Sequence, residues 1–106
     1  MGKKETIIEK LKQFKDNLKN IISVSSVVFF GSMAKGKSHK DSDIDLIIIS
    51  KDFEGKKFRY RSVELYDYWD LDYPGDFLCY TPEEFNKLKK QITIVREAVE
   101  NGVEIK

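Results

Sequence analysis

The stretch D-I-D-L-I-I-I that begins at Asp43 is the feature that most constrains how this chain folds. A short run this apolar and β-branched is typical of a buried strand. Side chains two apart along a strand point to the same face, so Asp43 and Asp45 share one face, about 6.6 Å apart along the chain. Ile44, Leu46 and Ile48 share the other face. The chain must therefore bury a strand that carries two carboxylates at its start.

Helices and further strands are predicted around this strand. Apolar residues recur at spacings of four and three between Ile7 and Ile21, which indicates an amphipathic helix, and Thr6 with Glu9 matches a capping box at its start. The predicted helices cover residues 6–22, 56–68, 82–90 and 92–100, and the predicted strands cover residues 26–30, 43–49, 76–80 and 103–105. This order predicts an α/β (α+β) fold with a small mixed β-sheet flanked by helices, as one domain over residues 1–106.

Composition excludes several classes of protein. The chain has 106 residues, and 19 Lys+Arg against 18 Asp+Glu give a net charge of +1. That balance leaves no basic excess for bulk nucleic-acid binding. No wholly apolar run exceeds the four residues seen at 46–49, far fewer than the ~20 residues of a membrane span. The one cysteine, Cys79, forms no internal disulfide, so we expect a cytoplasmic protein without a membrane association.

Two familiar motifs fit the region around Asp43 poorly. Residues 31–38 match the P-loop pattern G-x-x-x-x-G-K-[ST], which would make Lys37 critical for ATP hydrolysis. Residues 37–42 are all polar, however, and leave no room for the helix and the dozen or so crossover residues that a P-loop needs. Alternate aspartates from Asp41 onward suggest an EF-hand, but Leu46 stands where that loop requires glycine.

A third hypothesis treats the end of one strand and the start of the next as a single site. Asp43 and Asp45 would repel by roughly 2–3 kcal/mol at an effective dielectric near 20, and a bound cation relieves that repulsion. Oxygen ligands favour Mg²⁺ or Mn²⁺, which bind carboxylates together with substrate phosphate. Gly31 allows close backbone approach to a phosphate, Ser32 adds a hydroxyl, and Lys35 is a further candidate phosphate contact. This pattern predicts a phosphate-binding turn facing a metal site.

These residues resemble a known family. G-S-x-A-x-G, carried by Gly31, Ser32, Ala34 and Gly36, followed by S-D-I-D-L at residues 42–46, resembles the nucleotidyltransferase superfamily that includes DNA polymerase β. The similarity is greatest to the minimal nucleotidyltransferases of archaea and bacteria. It continues in D-F-L-C-Y-T-P-E-E-F from Asp76 onward and, weakly, near the C-terminus.

The resemblance implies a fold and a reaction. It implies a nucleotidyltransferase fold and transfer of a nucleoside monophosphate, AMP from ATP in the first instance, to a hydroxyl acceptor. It also implies a third carboxylate, for which Asp76 is the candidate because it opens an apolar strand, ahead of Asp67, Asp70 and Asp72. Two Mg²⁺ ions (or Mn²⁺) would then be held by Asp43 with Asp45 and by Asp45 with Asp76. Gly31, Ser32 and Lys35 would hold the nucleotide.

The resemblance further implies a partner. Minimal nucleotidyltransferases commonly pair with a HEPN-type RNase toxin and act as antitoxins, in some cases by adenylylating a tyrosine of the toxin. A chain of this size is expected to need such a partner, or a second copy of itself, to complete its site. The alternative is a non-catalytic antitoxin that neutralises by occlusion, which the departures from the family pattern at Met33 and Lys35 favour. Residues 51–73 match no pattern with an assigned role.

Overall fold

The computed structural model describes residues 3–36 and 43–106. Lys37 and Ser38 of the P-loop pattern, Asp41 of the EF-hand pattern and Ser42 of the family motif lie outside the described residues. The helices and strands are α1 (Lys3–Leu18), β1 (Val24–Phe30), β2 (Ile44–Ser50), β3 (Gly75–Tyr80), α2 (Pro82–Leu88), α3 (Ile94–Asn101) and β4 (Val103–Glu104). Between β2 and β3 lie the short 3-10 turns Lys51–Phe53, Phe58–Tyr60 and Glu64–Tyr68.

The strands form a mixed sheet in the order β3-β2-β1-β4. β1 is antiparallel to both β2 and β4, and β2 is parallel to β3. The predicted mixed sheet flanked by helices is thereby confirmed. The antiparallel pairing of β1 with β2 also excludes the P-loop, because that motif joins its strand to a helix that crosses over to a parallel strand.

Helices cover both faces of the sheet, which explains why β2 is almost wholly apolar. On one face Leu46 packs in a cluster with Phe14 of α1. On the other face Ile47 and Ile49 pack with Val95 and Ala98 of α3, together with half-buried side chains of α2. A strand buried on both faces has no solvent-facing row to fill with polar residues. The polar side chains of β2 are therefore confined to its ends.

Two of the predicted helices need correction. α1 begins at Lys3 and ends at Leu18, so Thr6 lies inside the helix and the predicted capping box at Thr6 is wrong. The predicted helix over residues 56–68 is also wrong, since this stretch consists of 3-10 turns. Its large side chains Phe58, Tyr60 and Val63 are exposed, so the stretch has no continuous apolar face to bury as a helix.

The start of α2 matches its prediction. Thr81 is the N-cap and accepts from the N–H of Glu84, while the Glu84 side chain accepts from the N–H of Thr81. Pro82 occupies the first helical position. This reciprocal pair satisfies two backbone donors that a helix start otherwise leaves without partners.

Arg61 anchors the segment between β2 and β3. Its side chain is only 8% exposed and donates to the carbonyls of Lys56 (3.0 Å) and Cys79 (3.1 Å). It also donates to both carboxylate oxygens of Glu84, at 2.6 and 3.2 Å. One guanidinium thus joins the irregular segment, strand β3 and the cap of α2. Over the described ranges, no helix has the length and apolar character needed to cross a membrane.

Candidate active site

The predicted carboxylates gather where β1 ends and where β2 and β3 begin. Asp45 is the register partner of Phe30 on one side and of Asp76 on the other. Neighbouring strands lie about 4.8 Å apart and paired residues face the same side, so the Asp45 and Asp76 side chains lie next to each other. Asp43 stands immediately before β2, and strand alternation puts it on the same face. The structure therefore brings all three predicted aspartates to one end of the sheet.

Asp45 is the most buried of the three. It is half-buried, whereas Asp43 and Asp76 are exposed. Burial raises the pKa of Asp45, and the negative charges of Asp76 and then Asp43 raise it further. Within the described ranges, no three His, Cys, Asp or Glu side chains already stand in a metal-binding arrangement. The donor chemistry nevertheless fits a hard divalent cation, because adjacent carboxylates that repel each other are the oxygen ligands such a cation prefers.

Gly31 packs its backbone directly on the Asp45 carboxylate. Its φ of +85° is the left-handed conformation that favours glycine. A Cβ atom at this position would collide with Asp45 Oδ2 and lie 3.2 Å from Asp45 Cγ. Both the backbone conformation and the lack of room for a Cβ atom therefore require glycine at position 31, where the backbone lies against the Asp45 carboxylate.

A helical turn follows Gly31, as the sequence suggested. The N–H of Lys35 donates to the carbonyls of Gly31 (3.3 Å) and Ser32 (3.1 Å), and the N–H of Gly36 donates to that of Met33 (3.1 Å). Met33 is buried and serves packing, while Ser32 is exposed. A turn of this kind leaves its first N–H groups without partners inside the turn. These donors and the Ser32 hydroxyl lie at the same end of the sheet as the three aspartates.

Lys35 points toward α3 in this structure. Its ammonium lies 3.4 Å from Glu97 Oε1, and both side chains are about half exposed. The two residues border a cavity of about 150 Å³ that is also lined by Gly31, Asp45 and Asn101. Whole small-molecule sites typically measure about 300–1,000 Å³, so this cavity suits one part of a ligand. Sequence analysis missed Glu97 and Asn101, which lie on an ordinary amphipathic helix and carry no motif.

Comparisons with known proteins identify the family of this chain. The family model "Nucleotidyltransferase domain" matches residues 8–103. The chain belongs to the nucleotidyltransferase family. It is 34% identical over 98 residues to a Haemophilus influenzae protein named "Probable protein adenylyltransferase MntA", covering 91% of this chain and 86% of that one. It is 32% identical over 102 residues to a Methanocaldococcus jannaschii protein named "Putative protein adenylyltransferase MJ0141", covering 93% and 98%.

A solved structure shares the fold of this nucleotidyltransferase domain. The crystal structure of a protein from Sulfolobus solfataricus, described in its own name as a "putative nucleotidyltransferase", superposes with a TM-score of 0.66. The two chains are 17% identical, and the match covers 95% of this chain and 80% of that one. The similarity confirms the predicted α+β nucleotidyltransferase fold.

The competing aspartates do not contribute to the raised pKa of Asp45, in contrast to Asp76 and Asp43. Asp67, Asp70 and Asp72 are exposed and precede β3, and Asp72 lines a separate cavity of about 210 Å³ beside α1. Cys79 is buried, and burial raises the pKa of its thiol to about 12, which excludes it as a nucleophile at neutral pH. His39 lies outside the described residues.

Tyr66 is a residue near the carboxylates that sequence analysis did not single out. Its side chain is 43% exposed. Burial raises the pKa of its phenol first, and the charges of Asp76 and, more weakly, Asp43 raise it as well, while a hydrogen bond at Phe77 acts in the opposite direction. Tyr66 therefore lies within electrostatic reach of the aspartates. No motif marks it, because it belongs to the segment whose sequence pattern predicted a regular helix.

Proposed function

We propose that this chain is a Mg²⁺-dependent nucleotidyltransferase that moves AMP from ATP to a hydroxyl group of a protein acceptor. The observation that carries the proposal is the pairing of Asp45 with Asp76 across β2 and β3, with Gly31 packed on the Asp45 carboxylate. Two carboxylates beside a turn with phosphate-binding chemistry are suited to a metal-bound triphosphate. The relatives named protein adenylyltransferases support AMP as the transferred group and protein as the acceptor.

In this proposal the aspartates bind metal, the turn after β1 binds phosphate, and Asp76 also accepts a proton. Asp43 and Asp45 would hold one Mg²⁺, and Asp45 and Asp76 a second, with Mn²⁺ able to replace either. Bound divalent cations supply charge neutralisation at the triphosphate and a lowered pKa for the acceptor hydroxyl. Gly31 and Ser32 orient the β- and γ-phosphates, so that pyrophosphate leaves in line with the attacking hydroxyl. Asp76, exposed at the start of β3, is the base that accepts the hydroxyl proton.

The proposed setting is an antitoxin paired with a HEPN-type toxin that supplies the acceptor hydroxyl. The cavity bordered by Gly31, Asp45 and Glu97 measures about 150 Å³, less than a whole small-molecule site, so a partner or a second copy of this chain would complete it. The names of the relatives are consistent with an acceptor that is itself a protein.

One observation favours the non-catalytic alternative, in which the domain only occludes its partner. Lys35, the candidate phosphate-binding cation of the motif, forms an ion pair with Glu97 at 3.4 Å. A bound triphosphate must compete with that carboxylate for the ammonium group. Because the pair is half exposed, it is worth only about 0.2–1 kcal/mol, which a triphosphate can overcome.

Calorimetric titration with ATP separates the two functions. We expect the purified chain to bind ATP with Mg²⁺ present and to lose that binding in EDTA and in the variant Asp43→Asn. The matched control is Asp70→Asn, which neutralises an exposed aspartate whose charge does not contribute to the raised pKa of Asp45. Binding that survives both EDTA and Asp43→Asn, or that fails equally in Asp70→Asn, would contradict the proposed metal site. Absence of ATP binding to the native chain would support the occluding antitoxin.

A further inference from the structure

The start of β3 is held from its open side by the segment before it. Among the strands that the structure describes, β3 lies at the edge of the sheet, and β2 alone pairs with it through the backbone. Gly75 and Cys79 are four residues apart on β3, and their carbonyls therefore point to the same, unpaired edge. Tyr66 donates its hydroxyl to the Gly75 carbonyl (2.9 Å), and Arg61 donates to the Cys79 carbonyl (3.1 Å). Two side chains thus take the place of a neighbouring strand.

Tyr66 contacts the residues on both sides of Asp76. Its hydroxyl binds Gly75, and its ring stacks on Phe77 with centroids 4.4 Å apart and planes 13° apart. Phe77 is buried and anchors the stack in the core. The hydrogen bond and the stacked ring together fix the backbone immediately before and after the exposed Asp76 side chain.

Trp69 also packs against the start of β3, beside Gly75. A Cβ atom on Gly75 would lie 2.7 Å from a ring carbon of Phe77 and 2.9 Å from one of Trp69. The Trp69 indole in turn donates to the Tyr73 carbonyl (2.9 Å) and packs edge-on against Phe14 of α1. Gly75 therefore has little room to move, and the peptide next to Asp76 is enclosed by aromatic rings.

We propose that Tyr66 is a positioning residue that fixes Asp76 beside Asp45 for metal binding. The inference rests on the proposed function, since it assigns Asp76 to the metal site. It gives residues 51–73 a role: Arg61 secures the far end of β3 to the fold, and Tyr66 sets the geometry of the end that carries the carboxylate. Tyr66 acts through the backbone of Gly75 and Phe77, without contact with substrate.

The test measures Mn²⁺ binding by electron paramagnetic resonance, with the non-cleavable ATP analogue α,β-methylene-ATP present. Tyr66→Phe removes the hydrogen bond and keeps the stacked ring, and we expect it to weaken Mn²⁺ binding about fivefold, in line with one lost hydrogen bond. Tyr60→Phe is the matched control, because it deletes the same oxygen from a tyrosine that is 56% exposed and lies beside Arg59. Arg61→Lys is the stability control, expected to lower the melting temperature without changing Mn²⁺ affinity per folded molecule.

A second measurement tests the positioning itself without metal. Amide hydrogen exchange of Asp76 and Phe77 is expected to become faster in Tyr66→Phe, relative to the centre of β2, and to stay unchanged in Tyr60→Phe. If Tyr66→Phe has the same amide exchange rates or the same Mn²⁺ affinity as the native chain, the inference is overturned.

The two proposals fail in different ways. If the native chain binds Mn²⁺ and Asp45→Asn abolishes binding while Tyr66→Phe matches the native chain, only the positioning role is wrong. If the native chain binds no Mn²⁺, or Asp45→Asn binds it equally well, the proposed function is wrong. In that case, amide exchange in Tyr66→Phe at the rate of the native chain would overturn the positioning role as well. Faster exchange in the variant would still show that Tyr66 fixes the backbone at the start of β3.

Discussion

Replacing Asp45 by asparagine should make the metal-free protein more stable at neutral pH. The substitution keeps the shape of a side chain on which the Gly31 backbone packs. It removes a half-buried charge whose pKa is raised by burial, by Asp76 and by Asp43. The native chain therefore bears a cost when Asp45 ionises, and the variant does not.

The size of the effect follows from the spacing of the strands. Two unit charges about 5 Å apart repel by about 0.8 kcal/mol in water and about 3 kcal/mol at an effective dielectric of 20. Asp45 is only partly shielded from solvent, so we take the lower part of this range, about 1 kcal/mol. For a domain of about 100 residues, this corresponds to a melting temperature about 4 °C higher.

The dependence on pH gives the prediction its sign. The pKa of Asp45 is higher in the folded chain than in the unfolded one. Between the unfolded-state pKa and the folded-state pKa, the folded chain therefore holds a proton that the unfolded chain has lost. The native chain loses stability as the pH rises through this range. The gap between Asp45→Asn and the native chain should open above pH ~4. Below that pH both chains carry a neutral group, and the gap should close.

Thermal denaturation followed by circular dichroism in EDTA and low salt measures this gap. Asp70→Asn serves as the control, because it removes one charge from an exposed position outside the site. Adding Mg²⁺ should stabilise the native chain and reduce the gap. A metal-free Asp45→Asn protein that melts below the native chain at pH 7, or a gap that is independent of pH, would refute the repulsion on which the site argument rests.

Three further predictions concern residues that hold the site and its surrounding structure in place. Gly31→Ala should lower the free energy of unfolding by at least about 1–2 kcal/mol, because it combines a positive φ with a collision at Asp45, and it should abolish ATP binding. Urea denaturation and calorimetry measure these two effects. A stable variant that binds ATP would contradict the prediction. Arg61→Ala should lower the free energy of unfolding by about 2–3 kcal/mol, since it leaves the Cys79 carbonyl without its donor and the Glu84 carboxylate without its guanidinium partner. A loss of less than about 1 kcal/mol in urea denaturation would show that Arg61 is not needed to anchor the segment. The hydrogen bond from Arg61 is the main cause that holds the pKa of Glu84 below its ordinary value, so the native chain should lose stability as the pH falls through that lowered pKa. Glu84→Gln should lack this part of the loss of stability in acid. Identical stability profiles of the two proteins in acid would contradict the prediction.

Much of the fold could be predicted because local and long-range signals agree. β2 is wholly apolar over residues 46–49, which required a cover on both faces, and α1, α2 and α3 supply it. The predicted start of α2 at residue 82 is correct, and the capping box between Thr81 and Glu84 fixes it there. These patterns depend on neighbours within one element, which a sequence displays directly.

Residues 51–73 could not be predicted for the opposite reason. Their conformation depends on distant partners, because Arg61 is bonded to β3 and α2 and Tyr66 to the start of β3. The helix predicted there followed from mixed aromatic and charged residues without a clean period, a weak signal that tertiary contacts overrode. The same limit applies to Glu97 and Asn101, which reach the site cavity only through the packing of α3.

The candidate site was easier to predict than its surroundings. Asp45 and Asp76 both stand at the start of an apolar strand, so a parallel pairing of those strands was enough to bring them together. The direction of Lys35 was not predictable, since an exposed lysine takes whatever partner the fold provides, and here that partner is Glu97.

Nucleotidyl transfer itself is the most direct test of the account. The purified chain, with Mg²⁺ and ATP labelled at the α-phosphate, would be incubated with blocked tyrosine, serine and threonine amides as hydroxyl probes, beside Asp45→Asn and Asp70→Asn. The account predicts that labelled AMP is joined to a hydroxyl probe, that pyrophosphate is released in equal amount, and that both products disappear only in Asp45→Asn. Release of free phosphate and ADP, or undiminished transfer by Asp45→Asn, would contradict it.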